Sequence, residues 1–369
     1  MSELVGLEEF RAAKRRIAGV ARRTGLHPIR AEKFARAGMP APEFELYVKA
    51  ESEQPIGSFK LRGAYNMIAG VVERDPTAAQ RGFITYSSGN HAQGVAYAAR
   101  AVGAKAVIVM PGNAPMIKRE ATAALGAEIV LVGNASSDRK LKAEELQAEF
   151  GYTMIPPYDD PAIIAGQGTC GLEILEQLEE AEGSGSVLVL SPVSGGGLLS
   201  GIATAIKLSS PEVQVWGAEP ELAADAKESF ETRTLVEWPA ARTTRTIGDG
   251  LRTQSLGRLN FEHVLRYVDG IVAVSEDEIL RAMRLLLAVT DLVPEPSGAV
   301  TLAAALFHAH ELPKARRVVV VMSGGNIEPA LKKQLQEEAD PGTARSQDSR
   351  DETVAKIEDP ALRSMARSV

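Results

Sequence analysis

Val187-Leu188-Val189-Leu190-Ser191-Pro192-Val193-Ser194-Gly195-Gly196-Gly197-Leu198 is the stretch that decides the fold. Four apolar residues without polar alternation read as a strand covered on both faces. The glycines that follow make a tight turn, and Leu198 to Leu208 then carries a helical apolar pattern. The same strand, turn and helix order recurs. Val107–Met110, Ile129–Val132 and Val318–Val321 are further apolar runs, each expected to be a fully buried strand. Ala92–Val102, Lys118–Leu125, Ala143–Phe150 and Gly171–Ala181 are helix-like segments between them. Alternation of this kind means an α/β protein with largely parallel sheets.

Tyr86-Ser87-Ser88-Gly89-Asn90 and Met322-Ser323-Gly324-Gly325-Asn326 repeat the glycine-rich turn after a strand. Ligands of open α/β sheets lie beyond the carboxyl ends of the strands, so three such turns predict one shared site. In Ser194-Gly195-Gly196-Gly197-Leu198 the glycines let backbone N–H groups approach an anion, and the helix start faces it with its positive end. Neither a Walker loop nor a dinucleotide fingerprint is matched, and the run alone reads equally well as a tight turn. Lys60, in Gly57-Ser58-Phe59-Lys60-Leu61-Arg62-Gly63-Ala64, sits at a helix start. Alone it reads as a surface lysine beside Arg62. Among apolar neighbours its ammonium is disfavoured, and a neutral amine is what a Schiff base requires. An anion loop and such a lysine together suggest a phosphorylated aldehyde, of which pyridoxal phosphate is the common one.

Composition narrows the class. The 369 residues suit two domains of about 150 residues or one large one. With 45% apolar and 24% charged residues the chain has ample core material, which excludes a mostly disordered protein. A net charge of −7 argues against a general nucleic-acid binder or a polybasic membrane-surface protein. Cys170 is the single cysteine, which excludes an internal disulfide and reads as a buried filler. Leu7, Phe10, Lys14 and Ile17 mark an amphipathic N-terminal helix without a signal-peptide core. No apolar run reaches 18 residues, and a cytoplasmic location is expected. A helix to about Glu338 and a loosely ordered polar tail complete the chain.

Six motifs in order carry a resemblance that runs from about Arg22 to Asn326. They are Gly57–Ala64, Ser87-Ser-Gly-Asn-His-Ala-Gln-Gly94, Gly166-Gln-Gly-Thr169 before Glu173, Ser194-Gly-Gly-Gly-Leu198, Glu295-Pro-Ser-Gly-Ala299 and Ser323-Gly-Gly-Asn326. The sequence resembles the fold type II pyridoxal-phosphate enzymes, which are tryptophan-synthase-β-like, and within them the serine/threonine dehydratases and serine racemases. It departs at Arg23-Thr24-Gly25-Leu26, where the family often has Arg-Thr-Pro-Leu, and at Ser194, where glycine is frequent.

The resemblance implies two open, mostly parallel sheets with flanking helices and the cofactor in the cleft between two domains. Residues 1–56 and 158–335 would form the large domain and 57–157 the small one. Residues 336–369 would be a polar extension with no regulatory domain. Lys60 would be the Schiff-base lysine and would take the substrate Cα proton, with Phe59 beside the ring. Asn90 would bond the ring hydroxyl, Ser194, Gly195, Gly196, Gly197 and Leu198 would hold the phosphate, and Ser323 would face the pyridine nitrogen. Ser87, Ser88, Asn90 and His91 would receive the substrate carboxylate. Ser88 is compatible with racemisation as well as elimination. Tyr158 falls where the family packs a residue against the ring.

Glu219, Ala223 and Asp225 follow the strand Val213–Ala218 and by spacing alone read as solvated loop charges. The resemblance places two carboxylates and the Ala223 carbonyl there around Mg²⁺, or Ca²⁺ or Mn²⁺; oxygen-only ligands suit such hard cations. The activity implied is elimination of water and ammonia from L-threonine, L-serine or a related β-hydroxy amino acid. Serine racemase and threo-3-hydroxyaspartate dehydratase are the alternatives. The resemblance also implies a homodimer with a small amino-acid substrate, and no nucleic-acid or membrane partner is expected.

Overall fold

Apolar runs divide the chain between two sheets in the computed structural model, which describes residues 4–339 except 88, 115, 134, 135 and 182. The strands are β1 Leu26–Ile29, β2 Glu45–Ala50, β3 Phe83–Tyr86, β4 Ala106–Pro111, β5 Glu128–Val132, β6 Thr153–Met154, β7 Val187–Pro192, β8 Gln214–Pro220, β9 Gly270–Val274 and β10 Arg317–Met322. The larger sheet runs β1-β2-β10-β7-β8-β9 and the smaller β5-β4-β3-β6. Every neighbouring pair is parallel except β1 against β2. The α/β class and the two mostly parallel sheets stand as the sequence implied.

The continuous apolar strands are explained by burial of both faces. Leu188, Leu190, Val318 and Val320 turn to one side of the larger sheet, under the helices Glu276–Val289 and Pro296–Phe307. Val187, Val189, Val319 and Val321 turn to the other, into a cluster with Ile174, Ile202 and Ile206 from the helices Pro161–Glu180 and Gly197–Ser209. In the smaller sheet Phe83, Ile108 and Met110 meet Ile68 and Val95 from the helices Lys60–Arg74 and Asn90–Ala101. One expectation fails. Ile129–Val132 is not a fully buried strand: β5 is the edge of the smaller sheet, and Leu131 is 47% exposed. Apolarity marks a strand but does not say whether a neighbour covers it.

Helix Pro161–Glu180 begins ten residues before the segment that its sequence suggests. Asp160 caps it, its carboxylate accepting from the N–H of Ala162 at 2.7 Å, and Pro161 opens the first turn. Its early glycines weaken the helical signal but serve packing: a Cβ on Gly166 would stand 2.6 Å from the carbonyl oxygen of Arg62. The helix that starts with Lys60 therefore lies at backbone contact with Pro161–Glu180. Residues 340–369, with the expected polar tail, lie outside the described residues; the last helix spans Pro329–Ala339.

Candidate active site

The three glycine-rich turns meet as one group. The N–H of Phe59 donates to the Ser323 carbonyl at 3.0 Å, and Ser58 bridges to Gly324, which brings the Lys60 helix to the end of β10. Asn90 opens the helix after β3, and its side-chain amide donates to Glu295 at 2.8 Å. Its oxygen accepts from Asn326 at 2.7 Å, so the turn after β3 closes onto the turn after β10. The turn after β7 is linked to Lys60 through the Pro157-Tyr158 pair: Gly195 and Gly197 lie against Tyr158, and the Pro157 carbonyl accepts from the Lys60 amine.

Lys60 is partly buried at the first position of its helix. Its amine donates to the Pro157 carbonyl at 2.7 Å and lies 5.2 Å from the centre of the Phe59 ring. Desolvation lowers its pKa to about 8, so a usable fraction is the neutral nucleophile near neutral pH. His91 is buried with its Nε2 3.0 Å from the Ile155 carbonyl; burial and the Lys60 charge depress it to about 3. Its ring is therefore neutral, carries its hydrogen on Nε2, and braces the loop. Ser87 accepts from the Gly89 N–H at 3.3 Å. Ser88 lies outside the described residues.

The phosphate loop has the shape an anion needs. Gly196 has a φ of 91° and Ser194 one of 56°, left-handed conformations that turn the chain before helix Gly197–Ser209. A Cβ on Gly195 would lie 2.5 Å from the Tyr158 ring, so that ring leaves no room for one. The leading N–H groups of the helix have no partner within it, and Leu198 is buried behind them. The Ser194 hydroxyl donates to the Gly250 carbonyl at 2.9 Å, and the Gly250 N–H donates to Ser297 at 2.9 Å. The loop is thus braced by Thr246–Leu251 and by the Glu295–Ala299 motif. Ser323 is buried, its hydroxyl 3.5 Å from the Ser297 carbonyl. A partly buried, low-pKa amine together with a glycine cradle fits a phosphorylated aldehyde.

Two residues without an assigned role from sequence emerge here. Glu295 is buried and holds both Asn90 and the Asn326 N–H, the latter at 3.2 Å. Burial and Asp249 raise its pKa to about 7 against those hydrogen bonds. Its partner Asn90 is 205 positions away, a pairing no local pattern signals. Arg139, partly buried, has its charge beside Tyr86 at the end of β3. Desolvation lowers its pKa, and its Nε finds no hydrogen-bond partner.

Glu219 and Asp225 are both buried, and Ala223 lies between them in a short 3₁₀ turn. Glu219 accepts from the Lys227 N–H at 2.7 Å, whereas Asp225 Oδ2 is buried without a hydrogen-bond partner. Burial and the Asp225 charge push Glu219 well above the usual carboxylate range; burial raises Asp225 to about 7. An orphaned carboxylate oxygen beside a second carboxylate suits a hard cation. Among the described residues no group of three or more His, Cys, Asp or Glu side chains is placed to hold a metal ion, so carbonyl and water oxygens would complete such a shell.

The sequence matches the family described as "Pyridoxal-phosphate dependent enzyme" over residues 21–324. The chain belongs to that family. It is similar to the L-threonine ammonia-lyase of Thermotoga maritima, with 40% identity over 88% of this chain and 76% of that one. It is also similar to the L-threo-3-hydroxyaspartate ammonia-lyase of Saccharomyces cerevisiae, with 38% identity over 77% of this chain and 83% of that one. Among solved structures, a threonine deaminase from T.th. superposes with a TM-score of 0.80 at 44% identity. That match covers 88% of this chain and 99% of the other. Pyridoxal phosphate is the family's cofactor, and the residues of this pyridoxal-phosphate enzyme fit it.

Proposed function

We propose that this chain is an ammonia-lyase that converts L-threonine, L-serine or a related β-hydroxy amino acid into a 2-oxo acid and ammonia. The carrying observation is the Lys60 amine, held at about 8 by burial where the three turns converge. Pyridoxal phosphate, when bound, supplies the aldehyde that captures the substrate amine and the conjugated ring that accepts electrons from Cα. The loop Ser194–Leu198 binds the phosphate through backbone N–H groups, and Phe59 packs beside the ring. Ser323 would offer the ring nitrogen a neutral hydroxyl in place of a carboxylate, which suits elimination chemistry. Glu295 and Asn326 hold the side chain of Asn90, whose amide would bond the ring hydroxyl.

Ser87, Ser88, Asn90 and His91 receive the substrate carboxylate at a helix start and orient the Cα–H bond, a matter of positioning. Lys60 takes the Cα proton and returns it to the β-hydroxyl, whose bond to Cβ breaks so that it leaves as water. Water then returns to release ammonia, so threonine or serine yields one 2-oxo acid and one ammonia. The similarity to the L-threonine ammonia-lyase of Thermotoga maritima at 40% identity supports this reading.

The supporting parts follow the same reading. The small domain is residues 57–157, and residues 1–56 and 158–335 form the large one. Glu219, the Ala223 carbonyl and Asp225 bind Mg²⁺ or a similar cation. The enzyme works as a cytoplasmic homodimer. Among the described residues no helix is long and apolar enough to cross a membrane.

A second reading is favoured by Arg139. A half-buried guanidinium without a partner for its Nε suits a substrate with a second carboxylate, as in threo-3-hydroxyaspartate. One assay separates these readings: 2-oxo acid release from L-serine, D-serine, L-threonine and threo-3-hydroxyaspartate, with Mg²⁺ or with chelator. Turnover of L-threonine or L-serine that falls under chelation is expected. Turnover of hydroxyaspartate alone, lost in Arg139→Met, would establish the second reading. No oxo acid from any substrate, with inversion of recovered serine, would make the enzyme a racemase instead.

A further inference from the structure

Behind Lys60, away from the groups assigned to substrate and cofactor, four charged side chains are buried together. Arg62, third in the helix Lys60–Arg74, grips two carboxylates. Its Nε and one terminal nitrogen donate to Glu51 at 2.7 and 2.8 Å. Both terminal nitrogens donate to Glu173, each at 2.7 Å. Lys49, within β2, closes the set with its amine 2.7 Å from Glu173 and 2.9 Å from the Thr24 carbonyl. Lys49, Glu51 and Arg62 are 0% exposed and Glu173 5%, so water shields none of them.

Hydrocarbon of the same volume would often serve stability as well or better, because buried ions lose their hydration. What hydrocarbon lacks is direction. A guanidinium is a rigid planar fork that fixes its own position when both edges are held. The two edges are held from different places. Glu51 follows β2 of the larger sheet, and Glu173 lies on the helix Pro161–Glu180. The fork's own backbone stands two residues from Lys60 and touches Gly166 of that same helix. Two cations and two carboxylates sum to zero, so the cluster grips the helix start without placing a net charge behind the Lys60 amine. Burial would raise the Glu51 pKa, but Arg62, Lys49 and Thr24 overcome it and hold the carboxyl at about 2. The grip therefore persists across the working pH range.

We infer that the Arg62 fork, clamped by Glu51 and Glu173, is the positioning element of Lys60: it fixes the first helical turn so that the amine stays at the Pro157 carbonyl and desolvated. The inference rests on Lys60 being the Schiff-base lysine.

Two variants test it. Arg62→Lys keeps the charge and loses the fork. Lys49→Met with Glu173→Gln removes one charge of each sign and one of the two anchors. The first readout needs no turnover: the cofactor-free chain is pulse-labelled with acetic anhydride across pH, and acylation of Lys60 is followed by peptide mass spectrometry. The wild-type midpoint should lie at about 8. In Arg62→Lys it should move toward the ordinary value of 10.5 as the turn loosens and water reaches the amine. In the double variant it should move the same way by less. The second readout is kcat on the preferred substrate at saturating cofactor, expected to fall by about 100-fold with KM changed less than about threefold, the scale of a 1 Å misplacement.

A folded Arg62→Lys chain with a lower Tm but an unchanged midpoint would show a merely structural cluster and overturn the inference. Should Arg62→Lys fail to fold, the double variant decides in the same way. A wild type that releases no oxo acid defeats the proposed function alone, since the labelling midpoints still test the fork.

Discussion

Gly195→Ala probes the phosphate cradle with a single methyl group. The backbone at Gly195 is not in the left-handed region, unlike that of Gly196, so alanine adds no φ strain there. Its Cβ would stand 2.5 Å from two carbons of the Tyr158 ring. Carbon pairs rest at about 3.5–4.0 Å, so the ring or the loop must retreat by about 1 Å. Gly197 lies against the Cβ and Cα of Tyr158 as well, so the stem of the ring has no room on that side and the loop takes up part of the movement. A retreat of that size stretches an N–H to phosphate contact from about 2.9 Å past hydrogen-bonding range. A hydrogen bond to a charged group contributes about 1.5–3 kcal/mol, so each one lost raises the cofactor Kd by about 10- to 150-fold. Titrating the cofactor-free variant with pyridoxal phosphate and following visible absorbance measures that Kd. Adding Tyr158→Ala should restore most of the affinity. A Kd within about threefold of wild type in the single variant would refute the collision argument.

Replacing Lys60 by alanine should remove turnover by on the order of 10⁴-fold, the upper end of a general base's contribution, and abolish the visible band of the lysine-linked cofactor. Full elimination activity in that variant would defeat the assignment. Glu295 ionises near pH 7, above which its carboxylate accepts from Asn90. A limb near pH 7 in kcat/KM should therefore be present in wild type and missing in Glu295→Gln; identical profiles would remove the role given to Glu295. His263 is buried and neutral, its Nδ1 2.8 Å from the Thr204 hydroxyl and its Nε2 accepting from the Val5 N–H at 3.3 Å. Burial lowers its pKa from 6.5 to about 4, so its contribution is full above pH 6.5 and is lost as pH falls toward 4. At pH 4.5 that loss is about 2–3 kcal/mol, and His263→Gln should flatten the acid side of a Tm-against-pH curve accordingly. Equal slopes for both chains would contradict it.

Much of the fold is legible in order along the chain. The runs at Val187–Leu190 and Val318–Val321 read as strands because burial on both faces removes polar alternation. The glycine turns read as one site because parallel sheets gather the carboxyl ends of their strands. Other parts are hidden. β2 carries Lys49 in its interior, a residue that argues against a central buried strand until Glu173, 124 positions away, neutralises it. Helix Pro161–Glu180 reads as shorter than it is because Gly166 and Gly168 depress helix propensity, although both serve close packing.

The sequence by itself determined the fold class, the order of the motifs and the candidate Schiff-base lysine, all of which depend on local periodicity and on residue types at short spacing. Tertiary structure alone decided that Leu131 of the edge strand β5 stays exposed, that Glu295 grips Asn90, and that Arg62 faces two carboxylates instead of water. Those outcomes depend on burial and on partners that lie far apart along the chain. Desolvation, which sets the chemistry of Lys60 and Glu295, exists only once the surrounding chain has excluded the water.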